Sequence, residues 1–245
     1  MNEMEIFVLG SGNAYSEKRN PTSFVINSSG KYTLVECPSM LRKILREFRE
    51  RSGKKLGIEE INDVIVTHLH GDHSNGLEAF GFWKHFVEKK KPNIYSIKEV
   101  FEDLWENKLK ASMQRIYTEN FSLEKVSLDF YFQTKILEFG KINEVNNLKV
   151  EIKRTKHVVP CFAIKVNGIL GYSSDTSFDP ELIEFLSPCR MIIHEVGPGI
   201  HTDYKELIRL PKHIKEKIYL AHLDDDFNTI RSELKILEEG LVYRV

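Results

Sequence analysis

The feature that most constrains this chain is the run Thr67-His68-Leu69-His70-Gly71-Asp72-His73, which sets four potential metal donors within six positions. It follows directly on residues 63–67 (Asp-Val-Ile-Val-Thr), a continuous β-branched stretch suited to a strand buried on both faces. Such a strand delivers its donors to the rim of a core, where loops gather into a site. His68 and His70 stand two apart, so an extended backbone can point both rings to one side. Adjacent Asp72 and His73 must diverge, and one turn can therefore serve two metal ions. Imidazole and carboxylate without thiolate form a borderline donor set, which suits Zn²⁺ first and Mn²⁺ or Fe²⁺ second. Further donors occupy similar places: His157 after the strand pattern 148–154, Asp175 after 168–173 and His222 after 217–221.

The rest of the pattern surrounds these strands with helices. Runs rich in β-formers at 5–9, 23–27 and 31–36 are separated by Gly, Asn, Ser and Pro clusters that read as turns. Met40, Leu41, Ile44, Leu45 and Phe48 recur at helical spacing, which predicts a helix over 39–51 stopped by Gly53. Residues 75–125 read as mostly helical, a candidate lid or dimer surface, and the basic run 84–91 within them reads as a solvated face. Strands are expected at 128–132, 148–154, 161–166, 168–173, 217–221 and 242–244. Asp179-Pro180 marks a helix start, Asp203 and Glu206 resemble a capping box, and a helix is expected over 229–239. Two strand-rich halves, each accompanied by helices, imply an α/β fold of the αββα sandwich kind. The expectation is one domain over 1–245 with a helical insertion at about 75–125.

Composition removes other classes. With 245 residues and 41% of them hydrophobic, the chain can bury a sizeable core. Lys+Arg at 35 against Asp+Glu at 36 leaves a net charge of -1, so there is no basic field to capture a long nucleic acid. Cys37, Cys161 and Cys189 are odd in number and far apart, which fits reduced thiols. The N-terminus is acidic where a signal peptide is basic, and its apolar stretch 6–9 is too short for a membrane span. The expected location is cytoplasmic, with no membrane partner.

The H-x-H-x-D-H cluster with the later His157, the Asp175 of Ser-Ser-Asp-Thr and the final His222 resembles the metallo-β-lactamase superfamily over nearly the whole chain. The resemblance implies that His68, His70 and His157 hold one metal, that Asp72, His73 and His222 hold a second, and that Asp175 bridges them. His70 stands where the flavodiiron branch carries Glu, which implies a hydrolase. Gly10-Ser11-Gly12-Asn13-Ala14 with Arg19-Asn20, and Ile193-His194-Glu195, resemble motifs of the phosphodiesterase branch that contains tRNase Z. Val196-Gly197 departs from that branch's Ala-Thr, and Glu36 stands where the superfamily commonly has Asp. The segment from His201 to His222 resembles bacterial and phage cyclic-nucleotide phosphodiesterases of the anti-Pycsar type.

These likenesses imply a two-metal phosphodiesterase with Asp72 in its catalytic set. His194 is the expected general acid, since imidazole titrates near neutral pH, and Glu195 is its candidate orienting partner. His201 reads as a contact to substrate or to a partner subunit. The tRNA-processing relatives insert a long arm between the residues matching His157 and Asp175, which here stand 18 positions apart. A small cyclic nucleotide is therefore the expected substrate, and a homodimer the expected assembly. The competing readings are a tRNase Z-like RNA 3′-end-processing endoribonuclease, a thioester or lactam hydrolase, and a non-catalytic metal-binding interaction module. An intact donor set argues against the last.

Overall fold

The computed structural model describes residues 4–245, so the first three residues of the acidic start lie outside the described part. The first half of the chain supplies β1 (Met4–Gly10), β2 (Ser23–Ser28), β3 (Lys31–Val35), β4 (Asp63–Ile65), β5 (Asn93–Ser96), β6 (Arg115–Tyr117), β7 (Leu123–Lys125) and β8 (Gln133–Ile136). The second supplies β9 (Asn143–Val145), β10 (Leu148–Arg154), β11 (Phe162–Val166), β12 (Leu170–Tyr172), β13 (Met191–Glu195), β14 (Ile218–Ala221), β15 (Lys235–Ile236) and β16 (Val242–Arg244). They form two seven-stranded sheets in the orders β16-β1-β2-β3-β4-β5-β8 and β15-β14-β13-β12-β11-β10-β9, while β6 and β7 make a separate hairpin.

Alternation along the strands builds three apolar layers. Ile6, Val8, Phe24 and Ile65 of the first sheet meet Ile164, Tyr172 and Ile193 of the second in a core between the sheets. Phe7, Leu9 and Val64 face the other way, onto Leu41, Ile44, Leu45 and Phe48 of the helix Leu41–Ser52. Ile192 and Val196 likewise face Leu182, Ile183 and Leu186 of the helix Pro180–Leu186, whose Asp179 cap accepts a hydrogen bond from the Glu181 amide. The αββα architecture expected from the sequence is the observed one.

Three elements differ from expectation. Residues 128–132 read as a strand, but Leu128–Tyr131 is a single helical turn that packs Phe130 and Tyr131 under the first sheet. Five alternating residues are too few for periodicity to separate the two conformations. The helix expected over 229–239 is a 3-10 turn at Thr229–Arg231 followed by β15, because the edge of β14 takes a parallel partner there. Residues 75–125 do carry helical segments, but they also hold the hairpin and β5, which lies between β4 and β8 and is part of the sandwich itself. Within the basic run, Lys84 is buried against Glu88 at 3.0 Å instead of being solvated. At Asp203 the cap is simpler than a capping box: its carboxylate accepts from the Lys205 amide alone.

The topology places the donors at one end. β3 and β4 are parallel, as are β12, β13 and β14, while two antiparallel steps leave β10 running in the direction of β12. The carboxyl ends of β4, β10, β12, β13 and β14 lead into His68, His157, Asp175, Glu195 and His222 respectively. The donor turn is clamped to the end of β3: the Cys37 amide donates to the His73 carbonyl at 2.7 Å and the Gly76 amide to the Cys37 carbonyl at 2.8 Å. A Cβ on Gly76 would lie 2.1 Å from the Pro38 carbonyl oxygen, and backbone cannot yield there. Gly76→Ala is therefore expected to destabilise the fold by about 1–3 kcal/mol through overpacking, read from the midpoint of chemical denaturation.

Candidate metal centre and active site

The residues marked in the sequence converge. His68, His70, His157 and Asp175 bring donor atoms within 4.8 Å of one another, and so do Asp72, His73 and His222. Asp175 lies between the two groups, with Oδ1 3.3 Å from His73 Nε2 and Oδ2 3.6 Å from His68 Nε2 and 3.5 Å from His222 Nε2. His157 Nε2 and His70 Nδ1 are 3.0 Å apart, and Asp72 Oδ2 is 3.2 Å from Nε2 of both His73 and His222.

Local backbone sets these angles. Glu36, Ser174 and His222 all have positive φ, at 64°, 51° and 59°, a region that side-chain-bearing residues adopt at a cost. The strained peptide at His222 is held by its amide, which donates to Thr22 Oγ1 at 2.9 Å, and Thr22 Oγ1 in turn donates to the Gly12 carbonyl at 3.0 Å. The Asn13 amide donates to the Leu223 carbonyl, and the Leu223 amide to the Ser11 carbonyl. The N-terminal glycine motif thus braces the last donor.

Behind the donors lies a buried polar layer. Glu36 accepts from the Thr67 hydroxyl and amide, and its Oε1 is 3.3 Å from His73 Nδ1. Thr67 Oγ1 is also 3.0 Å from His68 Nδ1. Partners on the far ring nitrogen fix which nitrogen faces a metal, so Nε2 of both His68 and His73 is directed inward.

The chemistry of this cluster calls for a cation. Buried polar atoms lacking a hydrogen-bond partner gather here: Nε2 of His68 and His73, Nδ1 of His157 and His222, Asp175 Oδ1 and Glu195 Oε2. Four buried or nearly buried carboxylates, Glu36, Asp72, Asp175 and Glu195, gather around the histidine rings. Buried unpaired charge of one sign is strongly disfavoured. Burial drives the His68 imidazole down to about 3 and that of His157 to about 4, so both are neutral and able to ligate. At His73 burial also opposes the charge, but Asp175, Glu36 and Asp72 overcome it and raise the ring well above its ordinary value. Burial acts to raise Asp175 and Asp72, yet His73 and His222 hold both carboxylates below their usual range. The donor set fits divalent ions, in two groups that share Asp175.

The two polar side chains at the end of β13 point to opposite faces of the sheet. Ile193 faces the core between the sheets and Ile192 and Val196 face the outer helices, so His194 turns outward with them and Glu195 turns into the site. His194 is 1% exposed, its Nδ1–H donates to the Glu195 carbonyl at 2.7 Å, and burial lowers its pKa to about 4. A ring shielded from the cleft cannot reach a leaving group. His194→Ala is accordingly expected to lower stability by about 1–3 kcal/mol while leaving kcat within a few-fold, a split that thermal melts and steady-state rates resolve.

Glu195 instead holds His201. Its Oε1 accepts from the Thr176 amide at 2.8 Å and lies 3.1 Å from His201 Nδ1. The His201 ring lies tilted against that of His222, at 4.7 Å between centroids, and lines a cleft of about 540 Å³ together with His70, Asp72, Asp175 and His222. Burial opposes its charge, but the Glu195 carboxylate and then Asp175 and Asp72 raise it above the usual histidine value. A Cβ on Gly197 would approach the His201 side chain to 3.1 Å, which accounts for Gly at that position. The sequence reading also missed Lys108, whose ammonium donates to the Leu69 carbonyl at 2.9 Å from beyond β5. Nothing local in the sequence marked Lys108.

Fold and site together define a metallo-β-lactamase-fold protein with the donor set of a metal-dependent hydrolase. The chain belongs to the anti-Pycsar protein Apyc1 family, whose profile matches residues 4–243. An anti-Pycsar protein Apyc1 from Saccharibacillus brassicae is 32% identical over 99% of this chain and 100% of its own length. Among solved structures, the metallo-β-lactamase fold protein YhfI from Bacillus subtilis superposes with a TM-score of 0.78 at 17% identity, covering 100% of both chains. The short form of human tRNase Z follows with a TM-score of 0.66 at 19% identity, covering 98% of each chain. No helix among the described residues is long and apolar enough to cross a membrane.

Proposed function

We propose that the chain is a metal-dependent phosphodiesterase that opens 3′,5′-cyclic nucleotides to linear nucleoside monophosphates. The observation that carries this reading is the Glu195–His201 pair at 3.1 Å, whose His201 ring lines one cleft with His70, Asp72, Asp175 and His222. Divalent ions held by those donors, Zn²⁺ by preference, supply Lewis-acid charge and lower the pKa of water at the site. His68, His70 and His157 form one set, Asp72, His73 and His222 the other, and Asp175 serves both. Glu195 keeps His201 protonated and oriented, and His201 gives that proton to the departing ribose alkoxide. The family's anti-Pycsar name supports a nucleotide signal as the substrate.

The shape of the site supports a small diester over a folded RNA. β11 and β12 join through a tight turn at Asn167 and Gly168, and no arm stands between His157 and Asp175. Among the described residues, no Lys or Arg lines the cleft. An RNA-processing site would need a basic track beside it. A homodimer and a cytoplasmic setting belong to the same reading; sedimentation of the metal-loaded chain tests the first.

The test is a panel of 3′,5′-cyclic nucleotides and a tRNA precursor incubated with the metal-loaded chain and resolved by chromatography. Linear mononucleotides with intact precursor tRNA are expected. Trimmed tRNA with untouched cyclic nucleotides would replace this reading with the nuclease.

A further inference from the structure

One ring at the cleft stands open to solvent. Tyr15 is 89% exposed, and among the described residues no aromatic ring or cation packs against it. Its backbone, by contrast, is firmly tied. The Tyr15 amide donates to Asn13 Oδ1 at 2.9 Å. The Ser16 hydroxyl donates to Asp225 Oδ1 at 2.5 Å, the Glu17 amide to Asp225 Oδ2 at 2.8 Å, and the Arg19 amide to Ser16 Oγ at 3.0 Å. A mobile loop would spend the binding energy of an aromatic ring on ordering; one already fixed keeps it for a ligand. Ile200, 47% exposed, lines the same cleft on a loop built around Pro198 and Gly199.

We infer that Tyr15 stacks on the nucleobase of the substrate while the phosphodiester lies at the metal centre, with Ile200 offering apolar surface in the same cleft. Asp225 is the positioning residue that holds the Tyr15 loop. This rests on the cyclic-nucleotide reading and sharpens it. Every base has a π-face, so stacking favours nucleotides over other diesters without selecting one base.

The test compares wild type, Tyr15→Ala, Tyr15→Phe and Asp225→Ala, all metal-loaded, on 3′,5′-cyclic UMP, 3′,5′-cyclic AMP and base-free ribose 3′,5′-cyclic phosphate. Loss of one stacked base is expected to raise KM about tenfold or more for both nucleotides in Tyr15→Ala, with kcat within about twofold. The base-free substrate shows no change, Tyr15→Phe restores the wild-type KM, and Asp225→Ala moves KM in the direction of Tyr15→Ala. An unchanged KM in Tyr15→Ala, or an equal loss on the base-free substrate, overturns the stacking role and leaves the phosphodiesterase reading standing. Wild-type hydrolysis of the base-free diester with no action on either nucleotide overturns the cyclic-nucleotide reading, and stacking falls with it.

Discussion

Asp175→Asn is expected to abolish stoichiometric metal loading and to lower phosphodiester turnover by about 10³-fold or more. The size of the effect follows from position. Asp175 is 2% exposed and lies within reach of both donor groups, with His68, His73 and His222 all 3.3 to 3.6 Å from its oxygens. Asparagine keeps the volume but removes the charge and turns one acceptor into a donor aimed at ring nitrogens that must themselves ligate. Supporting residues behind a metal ligand typically cost 10- to 100-fold on mutation, so a group shared by two sites is expected to cost about an order of magnitude more. Metal content by mass spectrometry separates this from simple unfolding. The substituted chain should remain folded in the metal-free state, since His73 can lose its proton when one of the carboxylates that holds it is neutralised.

His201→Ala is expected to reduce kcat on 3′,5′-cyclic nucleotides by about 10²–10⁴-fold, the usual worth of a placed general acid. The decisive feature is dependence on the leaving group. A ribose alkoxide is strongly basic and departs only as it is protonated; a nitrophenolate is weakly basic and needs no proton. On bis(p-nitrophenyl) phosphate the same variant should therefore lose less than about tenfold. Equal losses on both substrates would assign His201 to binding or metal support instead. Glu195→Gln should fall between the two, because the amide still accepts from the Thr176 amide while no longer favouring the protonated ring.

What could be read in the sequence tracks how local the determining physics is. The cluster 67–73 was legible because one buried strand and one turn fix its geometry almost unaided. His157, Asp175 and His222 were legible as potential donors at strand ends, although only the pairing of the second sheet, antiparallel from β10 to β12 and parallel from β12 to β14, gathers those ends. The assignment along β13 was not legible. Which of His194 and Glu195 faces the site depends on which face of the second sheet meets the first, and the sequence of the strand, apolar on both faces, carries no record of it. His201 was marked as a substrate contact, but its partner could be identified only once the loop from Val196 to Ile200 had folded back over Glu195. Tyr15 shows the same limit: an aromatic residue in a Gly-rich loop has no periodicity to read, and its exposure emerges only from the ties to Asp225, more than two hundred positions away.

The most direct test of the account is hydrolysis of a 3′,5′-cyclic nucleotide by the metal-loaded chain in ¹⁸O-labelled water, with the product examined by ³¹P NMR and mass spectrometry. The account predicts a linear nucleoside monophosphate carrying one ¹⁸O on phosphorus, formed by wild type and not by Asp175→Asn. Cyclic nucleotide left intact by a fully metal-loaded chain, or label found on the ribose instead of the phosphate, would contradict it.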